Sequence, residues 1–197
     1  RRDFGQLSFR FLSTYTTIEV ARVEVLKPDG RRETVDLQQN SREAADPDQM
    51  ARNIYDPSAK LLSVGVPGIE TGDVVHVAVV ERRHRVRVPD QWYDIAIFES
   101  TAPLVRAIYE VEAPAGRPLR HRVVRDELAG TLRYEQEPWE GGTRHRWIAR
   151  NVPRMFEEPD MPEPHSVLQR VLVSTCEDWP AISRWYWNLC RPRMAPC

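Results

Sequence analysis

The stretch Ile18-Glu19-Val20-Ala21-Arg22-Val23-Glu24-Val25-Leu26, followed by Lys27-Pro28-Asp29-Gly30 and then Arg31-Arg32-Glu33-Thr34-Val35-Asp36-Leu37, decides the fold class. Apolar side chains recur every second residue, the period of a half-buried strand. The Pro and Gly placements of Lys27 to Gly30 suit a tight reversal, so Arg31 to Leu37 is expected to return as a hairpin partner. The alternation slips by one between Val20 and Val23. One extra residue near Ala21-Arg22, accommodated as a β-bulge, restores the facing.

The same pattern extends outward from this hairpin. Strands are expected at Leu7 to Leu12, Leu61 to Val66, Val74 to Glu81, Arg85 to Val88, Gln91 to Phe98, Leu104 to Val111, Leu119 to Arg125, Thr131 to Gln136, Thr143 to Arg150 and Leu168 to Ser174. Val74 to Glu81 is apolar on both faces, which predicts a central strand with His76 buried in it. Asn40 to Lys60 lacks periodicity and reads as a surface excursion with a helical turn near Gln49 to Ile54. Glu157 to Pro164 is acidic and proline-rich, and is expected to be extended and solvated. Trp179, Ile182, Trp185 and Tyr186 change the period to that of an amphipathic helix, with Pro180 in its first turn and Pro192 and Pro196 limiting it near Cys190. The fold class is therefore all-β: an antiparallel β-sandwich of roughly ten short strands with one short C-terminal helix. Residues 1–174 are assigned to the sandwich and 175–197 to a helical segment beyond it.

Composition narrows the function classes. The chain has 197 residues, of which 41% are hydrophobic and 29% charged, and a formal net charge of -1. That is enough to bury a substantial core. No apolar run approaches the roughly 20 residues of a membrane-spanning helix. Nearly balanced charge argues against a nucleic-acid partner, although Arg82, Arg83, His84, Arg85 and Arg87, then Arg117, Arg120, Arg122 and Arg125, then Arg144 and Arg146 form basic rows. Cross-strand pairing with acidic side chains explains such rows as simply as an anionic ligand does.

Catalytic and metal motifs are sparse. Cys176, Cys190 and Cys197 are odd in number and clustered, which suggests no disulfide framework. No metal site and no cofactor are expected, because no two histidines stand at i, i+4 and no Cys-x-x-Cys or glycine-rich phosphate loop occurs. Cys176 lies at a strand-to-helix junction where a thiol pKa can fall, but no histidine follows it, which excludes the Cys-then-His order of papain-like enzymes. Trp92, Tyr93 and Trp139 are candidate ligand-binding aromatics. Trp139 is expected to be the most exposed, because Glu137 to Gly142 reads as a hairpin turn.

Several segments together resemble a known family. Val25-Leu26-Lys27-Pro28-Asp29-Gly30, Tyr55-Asp56-Pro57-Ser58-Ala59-Lys60, Val66-Pro67-Gly68-Ile69 and Thr71-Gly72-Asp73-Val74-Val75 resemble the β-rich domain of unknown function that precedes the transglutaminase-like core in many bacterial proteins. Trp147-Ile148-Ala149-Arg150-Asn151-Val152-Pro153, Val173-Ser174-Thr175, Trp179-Pro180-Ala181-Ile182 and Trp185-Tyr186 are similar to the segment leading into that core. The resemblance implies a periplasmic or extracellular protein whose catalytic Cys, His and Asp belong to a downstream papain-like domain. None of those residues maps here, so this chain is expected not to be an enzyme. It also implies that the chain starts inside the domain, short of an initial strand or hairpin. The expected role is an accessory sandwich that supports or presents substrate to the downstream domain, with Trp179, Trp185 and Tyr186 as docking residues. A glycan or cell-wall binding module with a glycan or peptide ligand, and a hydrolase using unrecognised carboxylates, are the alternatives.

Overall fold

The computed structural model describes residues 5–49, 55–125, 131–156, 158–162 and 164–194. Among the described residues twelve strands form four three-stranded antiparallel sheets, grouped in two compact units, Arg1–Arg87 and Val88–Cys197. Residues 1–174, expected as the sandwich, include strands of both units. The mostly β, sandwich-like character and the short C-terminal helix stand as expected.

The first unit holds β1 (Gln6–Leu12), β2 (Thr16–Leu26), β3 (Arg32–Thr34), β4 (Ser41–Ala45), β5 (Ala59–Gly65) and β6 (Val74–Arg83). Its sheets run β1-β5-β4 and β3-β2-β6. Val23 and Val25 of β2 and Val64 of β5 are fully buried in one cluster with Val35 and Val66, against which Leu7, Phe9 and Val75 pack. Both sheets therefore close on one core. The register slips between Val20 and Arg22, leaving Ala21 as the extra residue of the expected bulge.

Two turns of this unit are clasped together. Lys27 Nζ donates to Asp73 Oδ2 at 2.8 Å and to the Gly68 carbonyl at 2.7 Å, while Asp73 Oδ2 also accepts from Glu70 N–H at 2.8 Å. The hydrogen bond from Lys27 holds the Asp73 carboxyl below its usual range, and the same bond raises the lysine. The tight reversal at Lys27 to Gly30 closes with Gly30 at φ 89, a region that favours glycine.

Several expectations for this unit need correction. Val74 to Arg83 is an edge strand, because β2 takes the centre, and Val74, Val77, Val79, Val80 and His76 are exposed rather than buried. Valine favours extended backbone whether or not both faces are covered, so an apolar run does not by itself specify a central position. Ser41 to Ala45 is a strand within the expected excursion; all five residues are exposed, so its backbone pairs with β5 without any apolar alternation to announce it. Arg85 to Val88 is not a strand. Beyond Gln49, the helical turn expected to Ile54 lies outside the described residues.

The second unit holds β7 (Tyr93–Ile97), β8 (Leu104–Pro114), β9 (Arg120–Val124), β10 (Leu132–Trp139), β11 (Gly142–Val152) and β12 (Arg170–Ser174). Its sheets run β10-β11-β8 and β7-β12-β9. Trp147 and Ala149 of β11 meet Val171 and Val173 of β12, Phe98 and Val152 in a second buried cluster. Tyr109 on β8 reaches across and donates its hydroxyl to Asp94 Oδ2 on β7 at 2.9 Å. A helix over Trp179–Cys190 follows, with Asp178 as N-cap accepting from Ala181 N–H and a 3₁₀ turn at Arg191–Arg193 after it. Residues 158–162 are largely solvated as expected but turn rather than extend, with Met161 N–H donating to the Glu158 carbonyl at 3.3 Å and Asp160 at φ 61, and Pro164 opens a short helix, Pro164–Val167.

Candidate functional site

The two-residue period of the β10-β11-β8 sheet sorts its side chains onto two chemically different faces. Glu110, Glu112, Glu135, Glu137, Arg144 and Arg146 share the outer face by register. Arg144 lies 2.7 Å from Glu112 and 3.1 Å from Glu137, and Arg146 lies 2.6 Å from Glu110. These bonds raise both guanidinium pKa values and engage the carboxylates as structural partners. Elsewhere Arg82 pairs with Glu19 at 2.7 Å, and Arg85 and Arg87 lie over the Tyr15 ring. Cross-strand pairing and cation-π contact thus account for much of the basic rows.

The opposite face carries Tyr134, Gln136, His145, Trp147 and Tyr109, and there the side chains gather into an aromatic and imidazole cluster. His145 stacks on Trp147 at 6.1 Å with an interplanar angle of 13°. His121, on β9 of the other sheet, sits 4.5 Å from the Tyr134 ring and meets Trp147 edge-on at 5.2 Å. The Tyr134 hydroxyl is 2.8 Å from His145 Nδ1 and donates to Gln136 Oε1 at 3.0 Å. Burial pushes both imidazoles down and the Tyr134 phenol up; the nearby His121 lowers His145 further. Trp147 Nε1 is buried without an acceptor.

A cleft of about 260 Å³ opens beside this cluster. Arg117, His121, Tyr134, Gln136, Thr143 and His145 supply its polar lining. Among the described residues no three metal-ligating side chains converge there or elsewhere. Of these groups only Arg117 stands out in the sequence, as part of a basic row. The one available signal was the alternation of β11, which puts His145 on the same face as Trp147; that His121 joins them depends on sheet packing.

The ligand-binding candidates fall apart in space. Trp92 is half-buried and packs against the core of the second unit, with its backbone N–H donating to Thr175 Oγ1 at 2.9 Å. Tyr93, the next residue, is 50% exposed on the opposite face. Trp139 ends β10 at the hairpin, and is half-buried beside Gly141 rather than the most exposed of the set, because its ring folds back over the turn. Cys176 is half-buried, with Sγ 3.4 Å from the Asp178 carbonyl; Cys190, also half-buried, ends the helix, and Cys197 lies outside the described residues.

The docking candidates are arranged differently. The C-terminal helix contains no buried residue. Trp179 and Tyr186, seven residues apart and so on one helical face, are 83% and 63% exposed. Trp185 lines a hollow with Ile182, Val88, Pro89 and Gln91 instead. Trp187 and Leu189, which the sequence reading did not select, are 55% and 52% exposed.

A family profile described as a domain of unknown function with solved structure, DUF3857, matches residues 1–156. The chain belongs to the DUF3857 family. A solved structure, that of a "putative protease" from Parabacteroides distasonis, superposes with a TM-score of 0.77 at 16% identity, over 91% of this chain and 34% of the other. The DUF3857 chain thus spans about a third of the length of that protein, and the likeness is one of fold. No curated protein matches the sequence. Among the described residues no helix is long and apolar enough to cross a membrane.

Proposed function

We propose that this DUF3857 chain is a non-catalytic accessory unit of a periplasmic or extracellular bacterial protein, and that it positions a following transglutaminase-like catalytic domain. The observation that carries this reading is the C-terminal helix. Twelve residues rich in Trp, Tyr, Ile and Leu expose Trp179, Tyr186, Trp187 and Leu189 to solvent, and so large an aromatic surface favours a protein partner. Trp179 and Tyr186 are the docking anchors, and Trp185 supports the helix from its other side.

A trans-binding titration tests the proposal. Adding the transglutaminase-like domain, produced separately, to ¹⁵N-labelled chain should give saturable shifts of the Trp179 and Trp187 indole signals. The double substitution Trp179→Ser and Tyr186→Ser should weaken binding at least tenfold without loss of the β-sheet circular dichroism. Equal binding by the double variant, or hydrolase activity of the isolated chain, would overturn the reading.

A further inference from the structure

The cleft between β9 and the β10-β11 hairpin carries chemistry that docking through the helix does not use. Its polar lining consists of one guanidinium, two imidazoles, a phenol, an amide and a threonine hydroxyl, and among the described residues no carboxylate lines it. Its remaining walls are Ala113, Pro114, Ala115, Pro118 and Leu119, small and mostly apolar. Arg117 is exposed, and its contact with the exposed Asp90 is long, at 3.7 Å. The guanidinium is therefore available to an incoming anion.

The hydrogen-bond pattern around His145 points the same way. The Tyr134 hydroxyl has one proton, and it is directed to Gln136 Oε1. The Tyr134 oxygen can then accept from His145 Nδ1–H at 2.8 Å, leaving Nε2 as the remaining polar atom of a ring that lines the cleft and is itself only 6% exposed. In a protonated ring Nδ1–H is already satisfied by Tyr134, and Nε2–H needs an acceptor. A carboxylate oxygen supplies it.

We infer that this cleft binds a small carboxylate with a compact apolar body, the carboxylate accepting from His145 Nε2–H and Arg117 and the apolar part lying along Ala113 to Leu119. A peptide C-terminus and a free short-chain acid share this chemistry. No covalent bond of the ligand is made or broken; His145 Nε2 takes one proton from solvent, forming its N–H, when the anion binds. Among the described residues the titratable groups against that ring are His121 on β9 and Tyr134 on β10; Arg117 in the β8–β9 loop shares the cleft, and Tyr109, bonded to Asp94 on β7, packs on Trp147. Burial among apolar and aromatic groups lowers the His145 pKa, and in the tautomer that gives Nδ1–H to Tyr134 the Nε2 atom gains a proton before it can donate, so anion binding brings the proton with it.

Histidine side-chain NMR on the whole chain tests this. The probes are N-acetyl-alanyl-leucine with a free carboxylate, its C-terminal amide, and hexanoate; His145→Gln assigns the ring signals. The free-acid dipeptide should shift the His145 and His121 rings saturably, and the amide should not. Affinity should tighten by up to tenfold per pH unit on acidification between the ring's free and bound pKa values, the signature of one coupled proton. Arg117→Gln should weaken binding at least fivefold, and Tyr134→Phe, which keeps the ring packing, should flatten the pH dependence. Binding by hexanoate as tight as by the dipeptide would assign the site to free acids, whereas binding of the dipeptide alone would assign it to peptide termini. Equal binding of acid and amide, absence of saturable shifts with either acid, or indifference to both Arg117→Gln and Tyr134→Phe would overturn the inference.

Discussion

Gly142 shows how one residue can be required without any side chain to offer. It opens β11 opposite Pro114, and a Cβ at this position would lie 2.0 Å from the Ala113 carbonyl oxygen. Backbone, unlike a flexible side-chain tip, cannot move aside without breaking the ladder. Gly142→Ala should therefore destabilise the second unit by about 1–3 kcal/mol, the ordinary cost of overpacking, measurable as a lower urea midpoint. Gly116, with open space where its Cβ would stand, should tolerate alanine in the same assay. The sequence shows both as glycines in or near turns; the difference lies in how closely β8 approaches β11.

At the scale of elements, the clasp between the Lys27 reversal and the turn before β6 replaces apolar packing with charge. Asp73 has its carboxyl pKa lowered in the folded chain, so its contribution is present above the ordinary carboxylate value of about 3.9 and is lost as pH falls through the lower folded value. Lys27, with its pKa raised, contributes below about 10.4 and loses that contribution only as pH rises through its higher folded value. Asp73→Asn should lower the stability of the first unit at pH 7, and the gap from wild type should close as pH falls through the folded value of Asp73. A thermal-melt series over pH 2–7 checks the sign. The hairpin that sets β2 was legible as alternation plus a turn, and so was its bulge. The clasp was not, because Lys27 and Asp73 are far apart in sequence and nothing local to either predicts that the two turns meet.

For the whole molecule, two buried clusters predict two islands of slow amide exchange. Backbone amides of Val23, Val25 and Val64 should form one protected set, and those of Trp147, Ala149, Val171 and Val173 the other, with the exposed strand Ser41–Ala45 exchanging fastest among the strands. Hydrogen exchange resolved by residue would show this, and a single protected set spanning only one unit would contradict it. The cores were partly legible: Val23, Val25 and Val64 follow from period two, and so does Trp147. The candidate site was hardly legible, because His121 and His145 come from different sheets and only their stacking through Tyr134 and Trp147 makes a cleft. By itself the sequence determined the β class, most strand positions, the Ala21 bulge and the C-terminal helix, since each depends on local periodicity, proline or turn chemistry. Only the tertiary structure decided which strands lie at edges, how the strands divide between two cores, and that an imidazole pair and an arginine share one cleft, because those outcomes depend on contacts between residues distant in the chain, whose geometry no local pattern encodes.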